Sequence, residues 1–186
     1  MQYKLTTPCT AEDLAPLKAG DTVLLSGVVY TARDQAHKRM LEALDKGEKL
    51  PFDLEGSAIY YVGPTPERPG EIIGSAGPTT SGRVDAMSPR LLDLGNKIMI
   101  GKGKRDAAVK EAVVRNGAVY LAALGGAGAL MAQSVKTLEV IAWPDLGCEA
   151  VRRLTVEDMP LTVILDAHGG DLYLSGPEAY REAQVK

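Results

Sequence analysis

A seven-residue loop at positions 77–83, GPTTSGR, contains the residues of this sequence that are best suited to chemistry. Two glycines and a proline set its backbone, and three hydroxyl residues lie between them: Thr79, Thr80 and Ser81. Hydroxyls and free backbone N–H groups form directional hydrogen bonds, and the Arg83 guanidinium offers a planar pair of donors that matches a carboxylate or a phosphate. The alternative is a polar surface turn, for which Gly and Pro alone would suffice. We therefore interpret the loop as a candidate anion-binding site.

Two further cations follow segments that have the composition of strands. Arg33 comes after residues 22–30 (TVLLSGVVY), and Lys102 comes after residues 97–101 (KIMIG). The carboxyl ends of parallel strands meet at one edge of a sheet, so Arg33, Arg83 and Lys102 can line one pocket. Three cations around hydroxyls describe a site for a dianion such as a dicarboxylate or a phosphate ester. Taken singly, each cation has an ordinary solvated surface charge as its alternative.

Residues 101–105, GKGKR, are similar to a phosphate-binding loop but do not match the Walker A pattern GxxxxGK[ST]. The segment places Lys102 and free backbone N–H groups before a predicted helix, whose dipole favours anions at that end. Lys104 and Arg105 are expected to face outward at the start of this helix, with a ligand role as the alternative.

His37 follows Asp34 by three residues in the segment 31–37, TARDQAH. It can pair with Asp34 or orient Arg33, so we predict that Asp34 and His37 support the site without contacting the ligand. A helix cap or a surface residue is the alternative.

The remaining reactive residues do not complete a catalytic set. His168 is expected to face solvent, Cys148 to serve packing, and Glu149 has no partner that the sequence identifies. The sequence shows neither a cluster of metal ligands nor a Ser–His–Asp or Cys–His arrangement with supporting context. The chain therefore has the composition of half a site.

Composition limits the class of protein. A length of 186 residues suits one domain, 1–186, and a net charge of −3 with dispersed basic residues argues against a nucleic-acid partner. Two cysteines without a CxxC pattern favour reduced thiols and a cytoplasmic protein, and they are too few to hold an iron–sulfur cluster. The start lacks the pattern of a signal peptide. The uncharged segment 117–135 contains GGAG at its centre and predicts a strand, a turn and a helix rather than a membrane span.

Hydrophobic periodicity predicts alternating strands and helices. Strands are expected at residues 22–30, 57–62, 97–101, 118–124 and 138–143. Helices are expected from Thr10, as an N-cap, to about residue 18, and at residues 36–46, 88–95, 105–115 and 125–134. Residues 161–174 predict a hairpin that turns at Gly169-Gly170. The β–loop–α–β order between residues 97 and 124 is the unit of a parallel sheet, which places the chain in the α/β class.

Four segments in order resemble the β subunit of the class I, iron–sulfur-dependent fumarases and of the related L-tartrate dehydratases. These segments are GVVYTARDQAHKR (27–39), GPTTSGRVD (77–85), GKGKR (101–105) and GGAGALMAQSVK (125–136). The resemblance extends from about residue 14 to residue 173. It implies a single swivelling β/β/α domain with a mixed sheet and flanking helices.

The resemblance also implies an activity and a partner. It implies a hydro-lyase, with fumarate hydration to L-malate in the tricarboxylic acid cycle as the first expectation. A [4Fe-4S] cluster would be held by three cysteines of an α subunit and not by this chain. The assembly would be a cytoplasmic hetero-oligomer, such as a dimer of αβ pairs, and its activity would require both subunits. A tartrate dehydratase, a mesaconate- or citraconate-type hydratase and a stand-alone dicarboxylate-binding module remain the alternatives.

Carried over by position, the resemblance assigns roles to individual residues. The substrate-binding residues would be Arg33, Thr80, Ser81, Gly82, Arg83 and Lys102. Thr79 would handle the proton on the carbon next to the leaving hydroxyl. Because a threonine hydroxyl ionises far above neutral pH, Thr79 would need an activating carboxylate from the α subunit.

Overall fold

The computed structural model describes residues 1–124 and 126–184 and contains a mixed sheet of seven strands with helices packed against it. The strands are β1 (Gln2–Thr6), β2 (Thr22–Thr31), β3 (Ala58–Tyr60), β4 (Ile98–Gly101), β5 (Val119–Ala122), β6 (Val135–Ala142) and β7 (Val151–Leu165). The helices are α1 (Ala11–Leu14), α2 (Asp34–Asp45), α3 (Ser88–Asp93), α4 (Ala107–Arg115), α5 (Gly128–Gln133) and α6 (Leu172–Gln184). Short 3-10 segments lie at Ser81–Val84 and Pro144–Glu149. The predicted α/β class with a mixed sheet and flanking helices is confirmed.

The sheet closes on itself through its last strand. Strands β1 to β5 are parallel neighbours in sequence order. The antiparallel strand β7 pairs with β2 along one edge, while its other edge pairs first with β6 and then with β5. Strands β2, β3, β4, β5 and β7 therefore form a ring. The carboxyl ends of β2, β3, β4 and β5 lie at one end of this ring, which is where the predicted site residues follow.

Alternation along the strands divides the core into two layers. In β3, Tyr60 belongs to the cluster inside the ring, whereas Ile59 belongs to the outer cluster with Met40 of α2 and Leu92 of α3. All four side chains are essentially buried. The inner layer holds the ring strands together and the outer layer fixes the helices that follow them, so the strand ends have a defined geometry.

The amino-terminal helix confirms the predicted cap. The Thr10 hydroxyl accepts a hydrogen bond from the Asp13 backbone N–H, and the Asp13 carboxylate accepts one from the Thr10 backbone N–H. This reciprocal pair satisfies two helix N–H groups that otherwise have no partner.

The predicted hairpin at the carboxyl end is wrong. The 15-residue strand β7 already begins at Val151, and the Gly169-Gly170 turn leads into helix α6. The Asp166 carboxylate accepts hydrogen bonds from the backbone N–H groups of His168 and Gly170, which closes the turn. The sequence did not predict the first part of β7, because charged residues interrupt its apolar alternation. Strand β1 was not predicted either. The predicted helix at 125–134 is shorter in the structure, from Gly128, and Gly125 lies outside the described residues.

Over residues 1–124 and 126–184, none of the helices has the length and apolar character needed to cross a membrane.

Candidate functional site

The loop at residues 77–83, here called the hydroxyl loop, is hydrogen-bonded to the residue that follows β3. Both the backbone N–H and the hydroxyl of Thr79 donate to the Tyr61 carbonyl oxygen, each at 2.8 Å. An antiparallel bridge between Val62 and Pro78 holds the preceding residues. Because the Thr79 hydroxyl proton is directed at Tyr61, the oxygen lone pairs remain available to accept a hydrogen bond from a ligand.

Lys102 lies beside the hydroxyl loop, as the position of its strand end predicts. The Ser81 backbone N–H donates to the Lys102 carbonyl at 2.9 Å, and the Lys102 backbone N–H donates to the Ser81 hydroxyl at 3.0 Å. A Cβ on the neighbouring Gly101 would overlap that same hydroxyl, so only glycine allows this close approach. The structure therefore joins the segments 77–83 and 101–105 into one unit.

Ser81 lies below the surface of this unit. Its side chain is fully buried, and its hydroxyl contacts the Tyr120 hydroxyl at 2.9 Å as well as the Lys102 N–H. In this structure the Ser81 hydroxyl reaches the Lys102 loop and not the open face. Thr80 and Gly82, on either side of it, are exposed.

Arg83 and Lys102 present two positive charges at this edge. Both residues are exposed, and neither side chain forms a hydrogen bond or an ion pair with any residue in the described part of the chain. Two cations that have no counter-ion among the described residues, next to the exposed Thr80 hydroxyl, form a surface that favours a small anion with two charged groups.

Arg33 differs from these two because it is largely buried and already paired. Its side chain is only 18% exposed, and its Nη2 lies 3.4 Å from the Glu149 Oε1. The second Glu149 oxygen accepts the Gln35 backbone N–H at 2.9 Å. The guanidinium also packs on Gly63, where an added Cβ would lie 2.7 Å from Nη1. Arg33 therefore borders the start of the long loop at residues 63–82. The structure also supplies the partner of Glu149 that the sequence did not identify.

His37 contacts the backbone of Arg33. The imidazole is fully buried, and its Nδ1 lies 2.9 Å from the Arg33 carbonyl oxygen. A carbonyl only accepts, so Nδ1 carries the proton, and the buried Nε2 has no hydrogen-bond partner among the described residues. Asp34 is partly exposed at the first turn of α2. The contact is with the Arg33 backbone and not with its guanidinium, so the supporting roles of Asp34 and His37 stay predictions.

The buried imidazole predicts a pH-dependent stability. Burial lowers the His37 pKa to about 4, below its ordinary value of 6.5, although the hydrogen bond to Arg33 opposes this effect. Between pH 6.5 and about 4 the unfolded chain binds a proton that the folded chain does not, so the free energy of unfolding falls as the pH falls. We expect the loss to be about 3 kcal/mol from this group, at 1.36 kcal/mol per pKa unit.

The measurement is urea unfolding of the wild type and of His37→Gln at pH 7, 6 and 5. Glutamine can still donate to the Arg33 carbonyl but does not titrate. The stability of the wild type should fall more steeply with acidification than that of the variant. Parallel pH profiles would show that His37 is not the group responsible.

Arg105 corrects another expectation. The sequence predicted an outward-facing charge, but the side chain is fully buried and its Nε donates to the Asp85 carboxylate at 2.6 Å. Lys104, its neighbour, is exposed as predicted. Nothing in the local sequence distinguishes the two basic residues, because the acidic partner lies 20 positions earlier.

The two thiols do not form a metal site. Burial raises the pKa of the Cys9 thiol to about 11, so this residue is protonated and is a poor metal ligand. Cys148 is exposed, on the 3-10 segment beside Arg33. Over the described residues the structure contains no group of three or more His, Cys, Asp or Glu side chains that could hold a metal ion. An iron–sulfur cluster therefore does not fit the donor set described for this chain.

The exposed residues Thr80, Arg83 and Lys102 lie at the edge of the sheet where β3 and β4 end. Two cavities, of about 560 and 440 Å³, are bordered by the loop at residues 64–75. Neither is lined by residues 77–83, by Arg33 or by Lys102. A small ligand at this edge would therefore need a second surface to enclose it.

Comparison with known proteins identifies the family to which the chain belongs. The family model described as the fumarase C-terminus matches residues 1–176. Fumarate hydratase 2 of Leishmania major is 39% identical over 168 residues, which cover 87% of this chain and 29% of that protein. The aerobic class I fumarate hydratase of Escherichia coli is 40% identical over 151 residues, which cover 80% of this chain and 28% of that protein. The chain thus spans under a third of the length of these relatives.

Another relative has a similar length. The putative L(+)-tartrate dehydratase subunit beta of Methanocaldococcus jannaschii is 42% identical over 170 residues, which cover 88% of this chain and 87% of that protein. The family match over almost the whole chain, together with this full-length relative, shows that the chain belongs to the fumarase C-terminus family.

Proposed function

We propose that this chain is the β subunit of a two-subunit hydro-lyase that adds water to fumarate to form L-malate, and that removes it in the reverse direction. The observation that carries the proposal is the joined edge formed by the hydroxyl loop and Lys102, with Arg83 and Lys102 exposed and unpaired among the described residues. A dicarboxylate with charges at both ends is complementary to two such cations. The fumarate hydratase names of the long relatives support this substrate.

In this proposal some residues of the chain bind the substrate and others support the binding residues. Arg83, Lys102 and Arg33 bind the carboxylates, while Thr80 and the Gly82 backbone form further polar contacts and Ser81 holds the Lys102 loop. Asp34 and His37 support Arg33 at the start of α2. Arg33 would exchange its contact with Glu149 for one with substrate, since the pair is separated by 3.4 Å and is not tightly bonded.

Thr79 is proposed to take the proton from the carbon adjacent to the leaving hydroxyl in malate, and to return it during hydration. Its oxygen has lone pairs to accept that proton, but its own proton points at the Tyr61 carbonyl, which is a weak acceptor for a full proton transfer. A carboxylate from the partner would therefore have to activate Thr79.

The partner is proposed to be an α subunit that carries three cysteines and a [4Fe-4S] cluster. The open edge and the missing donor set of the described chain are both consistent with a site completed by another subunit. When bound, such a cluster supplies a Lewis acid for the substrate hydroxyl. The assembly would be a cytoplasmic hetero-oligomer, such as a dimer of αβ pairs.

L-tartrate is the second candidate substrate, and one observation favours it. The relative that this chain matches over most of both lengths is named for tartrate dehydratase, and the L(+)-tartrate dehydratase subunit beta of Escherichia coli matches over 98% of this chain and 92% of its own length at 32% identity. Mesaconate- and citraconate-type diacids, which add a methyl group, fit the same pair of cations. A stand-alone dicarboxylate-binding module is the alternative outside enzymes.

The test is anaerobic co-expression with the candidate α subunit and an assay of fumarate hydration, L-tartrate dehydration and mesaconate hydration. We expect activity only in the complex and loss of that activity in air. Formation of the complex with activity toward tartrate alone would transfer the assignment to tartrate dehydratase. Absence of a complex, together with dicarboxylate binding by the isolated chain, would contradict the subunit proposal and favour the binding module.

A further inference from the structure

A buried ion pair lies directly beneath the two loops that carry Arg83 and Lys102. The side chain of Arg105 is fully buried and that of Asp85 is 11% exposed. The Arg105 Nε donates to one Asp85 oxygen at 2.6 Å, and the backbone N–H of Asp106 donates to the other at 2.7 Å. The Arg105 Nη2 donates to the Ser88 hydroxyl at 2.8 Å.

The sequence positions of the pair are as informative as its burial. Asp85 follows Arg83 by two residues, at the end of the 3-10 segment Ser81–Val84, and Arg105 follows Lys102 by three. The ion pair therefore joins the two segments within three residues of each exposed cation.

Two aromatic rings determine the orientation of the guanidinium. The Arg105 Cζ lies 5.4 Å from the ring centroid of Tyr61 and 4.9 Å from that of Tyr120, within the range of cation–π contacts. Tyr61 is also the residue whose carbonyl accepts both Thr79 hydrogen bonds. The guanidinium is thus fixed in direction by two rings and in position by a carboxylate and a hydroxyl.

A chain of hydrogen bonds joins the same two loops above the ion pair. The Tyr120 hydroxyl donates to the Gly103 carbonyl at 3.0 Å, so the Ser81 hydroxyl must donate its own proton to Tyr120. The Lys102 N–H in turn donates to Ser81. This series of hydrogen bonds runs from the Lys102 N–H through the Ser81 and Tyr120 hydroxyls to the Gly103 carbonyl, and each group in it has a partner.

Stability alone does not explain the buried Arg105–Asp85 ion pair, because well-packed apolar residues can often replace such a pair without loss of stability. We infer that Arg105 and Asp85 are positioning residues that hold the Arg83 turn and the Lys102 loop in one fixed arrangement for binding a dicarboxylate. This inference rests on the proposed function. Thr79 is anchored to the Tyr61 backbone carbonyl, whereas Arg105 contacts only the Tyr61 ring, so we expect the pair to affect substrate affinity more than the proton-transfer step.

The test compares Arg105→Lys with wild type in the αβ complex. Lysine retains the charge, but its single nitrogen cannot replace both Nε, which contacts Asp85, and Nη2, which contacts Ser88. We expect KM for fumarate, or for L-tartrate if that is the substrate, to rise about tenfold or more, while kcat changes less than about threefold. Asp85→Asn should produce the same separation of KM from kcat.

A matched control lies on helix α4, which begins two residues after Arg105. Arg115 at the other end of α4 donates three hydrogen bonds to Asp93, but both side chains are about half exposed. Arg115→Lys makes the same chemical change away from the loops and should leave KM unaltered. A merely structural role for Arg105 would lower the fraction of folded enzyme, and so the apparent kcat, with KM unchanged. That result would overturn the inference.

A second measurement does not depend on the reaction. Amide hydrogen exchange of the full chain reports the Lys102 and Gly103 N–H groups, which donate to Ser81 and to the Tyr173 hydroxyl. In Arg105→Lys these amides should exchange about tenfold faster, while the amides of β3 and β4 keep their wild-type rates. Unchanged exchange at 102–103 would overturn the inference even in an active enzyme. Faster exchange in a chain inactive toward every diacid would support the positioning role and contradict only the proposed function.

Discussion

Replacement of Arg83 with alanine should lower kcat/KM for the dicarboxylate by about two to three orders of magnitude. Arg83 is exposed and its guanidinium has no partner among the described residues, so its removal breaks no contact that holds the described fold. In the assembled site it would face a substrate carboxylate, and truncating one member of a desolvated, hydrogen-bonded charge pair costs about 2–5 kcal/mol. Each 1.4 kcal/mol corresponds to a factor of about ten.

The measurement is steady-state kinetics of the αβ complex with Arg83→Ala, Arg83→Lys and Arg90→Ala. Lysine retains the charge without the planar pair of donors and should fall between wild type and alanine. Arg90 is the matched control because it lies on α3 near the loop, is 44% exposed and pairs with Asp45 at the surface. Its loss should change kcat/KM by less than about twofold, as is usual for surface ion pairs. A loss of less than about threefold in Arg83→Ala would remove Arg83 from the binding site.

Replacement of Thr79 with valine should lower kcat and leave KM nearly unchanged. General acid–base catalysis contributes about 10²–10⁴-fold, so kcat should fall within that range while KM stays near its wild-type value. The substitution is structurally mild, because the Tyr61 carbonyl keeps the hydrogen bond from the Thr79 backbone N–H when the hydroxyl is lost. Valine also keeps the branched shape of threonine.

Thr79→Ser should recover part of the activity, since it restores the hydroxyl to the same backbone position. Thr137→Val is the control for the loss of a threonine hydroxyl elsewhere, because Thr137 pairs only with the Thr155 hydroxyl on the exposed face of β6 and β7. A primary kinetic isotope effect with malate deuterated at the carbon that loses its proton would show that proton abstraction limits kcat. Wild-type kcat in Thr79→Val would exclude Thr79 from proton transfer.

The two variants also separate the proposals from each other. Loss of binding in Arg83→Ala without loss of turnover in Thr79→Val would support a dicarboxylate site whose proton transfer is carried out by the partner. Loss of both would assign recognition and proton transfer to the same loop.

Local patterns predicted much of the framework. The strand at residues 22–30, the capping box at Thr10 and the βαβ unit that ends at β5 are confirmed, because each depends on contacts between residues close in sequence. The order of strand ends also predicted that Lys102 would lie beside the hydroxyl loop. The assigned roles of the site residues remain predictions.

Long-range contacts account for what the sequence did not reveal. Glu149 pairs with Arg33 across 116 positions, and the charge-rich strand β7 finds its partners in β2, β5 and β6. By itself the sequence determined the alternation of helices and strands between residues 10 and 134, the family and the candidate residues that follow strand ends, but not β1, β7 or α6. Only the tertiary structure decided that Arg105 is buried while Lys104 is exposed, and that the Ser81 hydroxyl faces Tyr120. The physical reason is that burial of a charge or a hydroxyl depends on partners that lie far away in sequence and that the tertiary fold brings together, and local periodicity contains no information about those partners.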